Sequence, residues 1–413
     1  MRFVCALVSA SSMLPQWSMA SPDVLLTLKE ATTRTLDHNP QLYQYRLAAE
    51  SLSAQRQTSA LRPAIALEFD VENFAGSGTN EGFDSSEITL ALSSVIELGG
   101  KRQARLSYAD ARLGRAQWEQ QASTLDILGE LTVLYVDSLA TQANIQLGQE
   151  SLELYRSLLK TIKTRSKQGA TPEAEVMRAQ AAVARAEIQL AALVTQFERQ
   201  KVQLSRFWGE TTPSFSSLAG NLFEFGKSKS FEQLYSHAKS SPAIEIFASE
   251  ARIKDAQVRL ARADKRSDVT WTAGIRRFEE TGESALTAGL SIPLFSNKRN
   301  SGEVKAALAN RNAVDYARQD FILRLHAQLF DAYSVRKQSI SATNKIQNVV
   351  IPALENALKL TREAYENGRY GYLDLIAAQK ELLASKQARI DAASTALFSQ
   401  ALIEKLSSES LNR

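Results

Sequence analysis

The chain has 413 residues and a formal charge of +4 spread as alternating signs, which excludes the clustered basic stripe that a nucleic-acid reader needs. Its 18 glycines and 9 prolines fall well below the roughly 12% of average usage, so turns are scarce and long helices are implied. With 44% hydrophobic and 23% charged residues, it can bury a core and is too balanced for disorder.

At the amino terminus, Arg2, the apolar run Phe3 to Val8 and the small-x-small sequence Ser18-Met19-Ala20 read as a signal peptide over residues 1–20. Cleavage after Ala20 removes Cys5, the only cysteine, leaving no disulfide and no thiolate. No later run of 18 apolar residues occurs, so a membrane-spanning helix is excluded and secretion or a β-barrel remains.

From there the chain is written twice. A first repeat over 21–208 is joined by a Ser/Thr/Gly-rich link, 209–230, to a second over 231–413. Asn39-Pro40 is answered by Ser241-Pro242, and Lys101-Arg102 by Lys298-Arg299. Gly169, Glu175, Ala179 and Gln180 are answered by Gly368, Asp374, Ala378 and Gln379, each displaced by 199 residues. Each copy reads helix, strand, strand, long helix, turn, long helix.

The strands are expected at about 64–74, 86–96, 268–278 and 285–295. In the first, Ile65, Leu67, Phe69 and Val71 alternate with Ala66, Glu68, Asp70 and Glu72, which makes one face apolar and the other acidic. About ten residues per strand suits a tilted membrane crossing. After the second strand, Gly99 and Gly100 are placed to turn strand into helix. Lys101, Arg102, Lys298 and Arg299 mark the strand-helix junctions, where an interfacial belt would let them snorkel toward headgroups. The segments Arg102 to Lys167 and Arg299 to Asn367 contain no proline except Pro352, enough for rods of roughly 100 Å. Their partners carry seams: Val176, Ala179, Val183, Ala186, Leu190, Leu193, Phe197, Gln200 and Leu204 alternate by threes and fours, and Ile376, Leu383, Ile390 and Leu397 recur every seven.

Four strands cannot close a barrel in lipid, because open edges would leave backbone N–H and C=O groups unpaired. Two chains would give eight strands and a filled interior; three would give twelve and a lumen. The polar face of Glu68, Asp70, Glu72, Thr270 and Thr287 wants water, which favours three and a duct. These acids would line the lumen and bias it toward cations, or serve only as a wettable wall.

With its duplicated halves, two strands per half and a Gly-x5-acid turn ending each long hairpin, the mature chain resembles the TolC-like outer-membrane efflux family. The segment Glu97-Leu98-Gly99-Gly100-Lys101-Arg102 is similar to the hallmark of its CzcC-like branch, the outer components of heavy-metal resistance-nodulation-division (RND) pumps. The second copy reads Phe295-Ser296-Asn297-Lys298-Arg299 there, so the glycines stand in one copy only. The resemblance implies a mainly α fold with a transmembrane β-barrel: a homotrimer whose 12-stranded barrel sits in outer-membrane lipid of a Gram-negative cell and continues as a helical periplasmic tunnel. It also implies a periplasmic adaptor, an inner-membrane RND pump and heavy-metal cargo. Ducts for organic drugs or secreted protein share the fold, and a periplasmic coiled-coil adaptor is the competing reading of another class.

In such proteins the hairpin tips meet the adaptor and narrow the tube, which singles out Gly169, Glu175, Gly368, Tyr370 and Asp374, with Arg165, Arg369 and Tyr372 flanking. An acid in the first turn of a helix is equally explained by the dipole, at about 0.3–1 kcal/mol. His38, His237 and His326 have no partner at ligand spacing, so neither a metal site nor a cofactor is expected. No phosphate loop, nucleophile elbow or zinc-helix motif occurs, and no enzyme activity is expected.

Overall fold

A computed structural model describes residues 24–227, 229–294 and 300–408. The signal segment, Lys298 and Arg299 lie outside the described residues. In chain order the elements are β1 (Leu25–Leu26), α1 (Leu28–His38), α2 (Pro40–Ser59), β2 (Ala66–Glu72), β3 (Glu87–Ile96), α3 (Lys101–Lys167) and α4 (Glu173–Ser205). The chain continues with β4 (Ser217–Leu218), α5 (Phe231–Ala238), α6 (Pro242–Ala263), β5 (Val269–Phe278), β6 (Ser284–Ser291), α7 (Ser301–Lys345), α8 (Ile351–Glu366) and α9 (Tyr372–Ser407).

The order helix, helix, strand, strand, long helix, long helix runs twice along the chain, with matching element boundaries. Pro40 and Pro242 each open a helix at its first turn, where a missing N–H costs nothing. Asn39 caps α2 by accepting from the Gln41 and Leu42 amides, and its Nδ2 donates to the Phe207 carbonyl at 2.7 Å. The α3 rod is unbroken for 67 residues. Its counterpart is α7 followed by a π-turn at Ile346–Val350 and α8; the π-turn lies just ahead of Pro352, which has no N–H to give to a regular ladder.

The four long strands form one antiparallel sheet in the order β2-β3-β5-β6. Strand β6 stops at Ser291, short of the expected 295, and Pro293 follows. Strand β2 stops at Glu72, where Asn73 takes a positive φ of 58°. Register puts Leu67, Phe69, Leu90, Leu92, Ile275, Leu286 and Leu290 on one face, and all are exposed, Leu286 at 86%. The opposite face carries Glu68, Asp70 and Glu72 on β2, then Thr89, Ala91 and Ser93, then Thr272, Gly274 and Arg276. On this polar face Thr89, Ala91 and Ser93 are buried although they are small, so the sheet is crowded on its polar side and open on its apolar side. That is the asymmetry of a wall curled around a wet interior with lipid outside.

Gly274 permits β5 to lie close against β3. A Cβ there would stand 2.5 Å from the Leu90 carbonyl oxygen and 2.6 Å from the Ala91 Cβ. At Gly289, on the next strand, a Cβ would meet nothing closer than Thr272 at 3.9 Å. Gly274→Ala is therefore expected to lower stability by about 1–3 kcal/mol through overpacking, with Gly289→Ala near neutral. Circular dichroism on the detergent-solubilised protein through a urea titration reads the difference; equal stability of the two variants contradicts it.

Candidate functional site

At the strand-helix junction Gly99 and Gly100 both take left-handed conformations, φ 77° and 75°, turning β3 into α3 over two residues. A side chain at Gly99 would press on Arg266 and the Ala263 carbonyl, 2.9 and 3.1 Å away. Asp268, just before β5, then ties the halves together. Its Oδ1 accepts from the Leu98 amide at 3.0 Å and its Oδ2 from Lys101 Nζ at 2.7 Å. Lys101 is thus no headgroup lysine, as an interfacial belt would require: its side chain is 12% exposed and held by Asp268. Arg102 is exposed. Glu97 accepts both Nη atoms of Arg105, a bidentate pair that holds the Arg105 guanidinium above its ordinary range.

The expected link, 209–230, serves as a clasp at mid-height on α3. Its strand β4 pairs in parallel with β1, Leu25 facing Ser217 and Leu26 facing Leu218. Tyr135 of α3 lies beneath, donating to the Leu26 and Ala219 carbonyls, and burial pushes its hydroxyl well above the ordinary tyrosine range. Gln142 brackets Leu218 by accepting from its amide at 3.0 Å and donating to its carbonyl at 3.2 Å. Arg389 of α9 stacks over Phe223 at 3.6 Å, and burial lowers its guanidinium. The sequence carried no periodic signal for this clasp, because two-residue strands leave none.

At the far end the helix C-termini close with one motif used twice. Gly169 (φ 74°) donates to the Ser166 carbonyl and Ala170 to Arg165; Gly368 (φ 71°) donates to Tyr365 and Arg369 to Ala364. All four positions are related by 199 residues. Glu175 and Asp374 both occupy the third helical position after the turn, yet they differ. Asp374 reaches back to the Gly371 amide at 2.9 Å and closes a capping interaction. Glu175 has no such donor, because its N-cap is Pro172. It stands instead near Tyr372, whose hydroxyl is pushed upward by burial first and by this carboxylate second.

Two flanking residues expected to face a partner are used internally. Tyr372 is 5% exposed inside an apolar cluster with Leu158, Ile162, Val176, Leu358, Tyr365 and Ile376, which packs the two tips together. Arg165 donates to the Glu366 carbonyl at 2.8 Å and covers the Tyr365 ring at 4.9 Å, bridging one hairpin to the other. Tyr370, 53% exposed, and Arg369 stay on the surface.

On the polar face of the sheet, Glu68 accepts from the Ser93 hydroxyl, and Asp70 is without an ion pair among the described residues. Glu72 is paired with Arg276 at 2.9 Å, a countercharge that the sequence reading missed because Arg276 sits on another strand. His326 stacks edge-on between Phe231 and Tyr235, and no group of three metal-ligating side chains occurs among the described residues.

An open sheet with an apolar outer face, carried on two helical hairpins, matches a known architecture. The sequence model of the family described as outer membrane efflux protein matches residues 32–210 and 234–407. The chain belongs to that family. The cobalt-zinc-cadmium resistance protein CzcC of Cupriavidus metallidurans is 26% identical over 305 residues, 73% of this chain and 72% of that protein. The nickel-cobalt-cadmium resistance protein NccC of Alcaligenes xylosoxydans xylosoxydans is 27% identical over 302 residues, 72% of this chain and 67% of the other. The crystal structure of the outer membrane protein VceC from Vibrio cholerae superposes with a TM-score of 0.74 at 21% identity, over 92% of this chain and 96% of that one. The efflux protein described here has the TolC-like channel fold, resides in the outer membrane of a Gram-negative cell with its helical tunnel in the periplasm, and is not an enzyme. Membership displaces the reading of a periplasmic adaptor.

The two tip acids separate in a stability experiment. Asp374→Ala is expected to cost about 1 kcal/mol at the helix start and to speed amide exchange at Gly371. Glu175→Ala leaves exchange at residues 173–175 unchanged. Hydrogen-exchange mass spectrometry reads both, and equal behaviour of the two variants contradicts the capping assignment.

Proposed function

We propose that three copies close a 12-stranded barrel and that the duct passively conducts heavy-metal cations outward, receiving them from a periplasmic adaptor and an inner-membrane RND pump. The observation that supports this reading best is the sheet itself: its apolar face exposes Leu67, Phe69, Leu90, Leu92, Ile275, Leu286 and Leu290, its edge strands β2 and β6 have no outward strand partner among the described residues, and its opposite face carries Glu68, Asp70 and Glu72. Only neighbours can satisfy those edges within hydrocarbon. The cargo reading draws on the resistance named for the relatives: cobalt, zinc and cadmium for one, nickel, cobalt and cadmium for the other.

In this reading Gly169, Glu175, Gly368, Tyr370 and Asp374 form the end that meets the adaptor. A trimer would bring six carboxylates near the aperture, where cations gather and like-charge repulsion opposes closure. Asp374 is partly committed to its helix cap, so Glu175 is the acid free to act at the gate.

Two experiments test the proposal. Deletion of the gene is expected to sensitise the native cell to zinc, cobalt or cadmium severalfold; sensitisation to organic toxicants alone contradicts metal cargo while leaving the duct intact. In planar bilayers, Glu175→Gln is expected to raise conductance and weaken block by divalent cations more than Asp374→Asn does. Unchanged conductance and block in both variants would remove the acids from the gate.

A further inference from the structure

We propose that Arg276 is a selectivity-determining residue of the duct: a fixed cation that fills the carboxylate pair Glu72–Glu87 near the outer mouth, so that transported divalent cations do not lodge there. This rests on the channel reading above and adds a residue-level account of how the barrel treats its cargo.

Register brings the pair together. Glu72 of β2 lies directly opposite Glu87 of β3, at the end of the strands away from the helices. Like charges directly opposite are destabilising in an antiparallel pair, and two carboxylates side by side offer oxygen ligands that a divalent cation, zinc included, can bind. Arg276 resolves both problems from the third strand. Its Nη2 stands 2.9 Å from Glu72 Oε2, its Nη1 2.7 Å from Glu87 Oε2, and its Nε donates to Thr89 Oγ1 at 3.0 Å. Three of the guanidinium's directions are committed, a geometry that a planar fork satisfies and a lysine meets only in charge.

The placement also zones the charge along the wall. By register Arg276 shares a rung with Thr89 and Asp70. Its guanidinium nevertheless reaches one rung outward to the glutamates, and Asp70 on the inner side has no ion pair among the described residues. Glu68, two residues further in, accepts from the Ser93 hydroxyl and has no ion pair among the described residues. A cation moving outward therefore passes an unpaired acidic band first and a compensated band last. Conduction requires attraction strong enough to enter and weak enough to leave, and the compensated band at the exit meets the second requirement. Glu72 is 53% and Arg276 32% exposed at the side chain, so the clasp is wetted and acts on the ions that pass it.

The test uses the full-length protein in planar bilayers under a potassium chloride gradient, with zinc chloride as the probe. Arg276→Gln is expected to shift the reversal potential toward cations by a severalfold change in permeability ratio. It is also expected to make the current sensitive to zinc concentrations that leave the parent channel untouched. Arg276→Lys should restore most of both properties, since it keeps the charge. Because Arg276→Gln leaves Glu72 and Glu87 repelling, the double variant Glu72→Gln/Arg276→Gln guards against misassembly; it should conduct without zinc block. Conducting Arg276→Gln channels with the parent reversal potential and no zinc sensitivity overturn the proposal and leave the duct standing. Zinc block that persists in the double variant also overturns it. A parent protein that inserts yet never conducts overturns the channel reading on which the proposal rests.

Discussion

Everything in this protein answers to two strand edges. Strands β2 and β6 bound the sheet, and outside each lies a row of backbone donors and acceptors with no strand partner among the described residues. In water such an edge is a liability to be blunted. Beside an apolar face that is exposed from Leu67 to Leu290, it becomes a demand, because hydrocarbon supplies no hydrogen bonds and each unmet group costs several kcal/mol. In the proposed trimer, copies of the same sheet would meet the demand by pairing edge to edge, and a wet interior would follow from closure.

The helices transmit that constraint to the far end. Gly99 and Gly100 turn strand into rod without a spacer, and Asp268 fixes the turn to the neighbouring half through Lys101 and the Leu98 amide. Mid-height, the β1–β4 pair and Tyr135 strap the amino-terminal segment and the link onto α3. At the tips Arg165 and the buried Tyr372 join one hairpin to the other. Three separate ties therefore hold the rods in register between the sheet and the tips, and in the proposed trimer they would carry the ring symmetry of the barrel to the tips.

Much of this was legible in the sequence, and the division follows from range. Period-two alternation around Glu68 and the threes-and-fours seam through Val176 and Phe197 are local patterns set by the backbone repeat, so strands and helices emerged with their ends shifted by a few residues. The turn glycines were equally plain, since Gly169 and Gly368 stand 199 residues apart in matching contexts. What stayed hidden depends on partners distant in the chain. Lys101 looked like a headgroup lysine until Asp268, 167 residues away, claimed it. Arg276 meets Glu87 across 189 residues, and no spacing rule connects them. Asp374 and Glu175 looked equivalent because they are aligned; a proline at the N-cap of one helix and a glycine at the other separates their roles.

Native mass spectrometry of the detergent-extracted, signal-processed protein tests closure most directly. The account expects a single dominant species with the mass of three chains, persisting until the detergent is removed. A stable monomer whose strand amides are all protected from exchange, β2 and β6 included, would show that the ladder closes within one chain, and would contradict it.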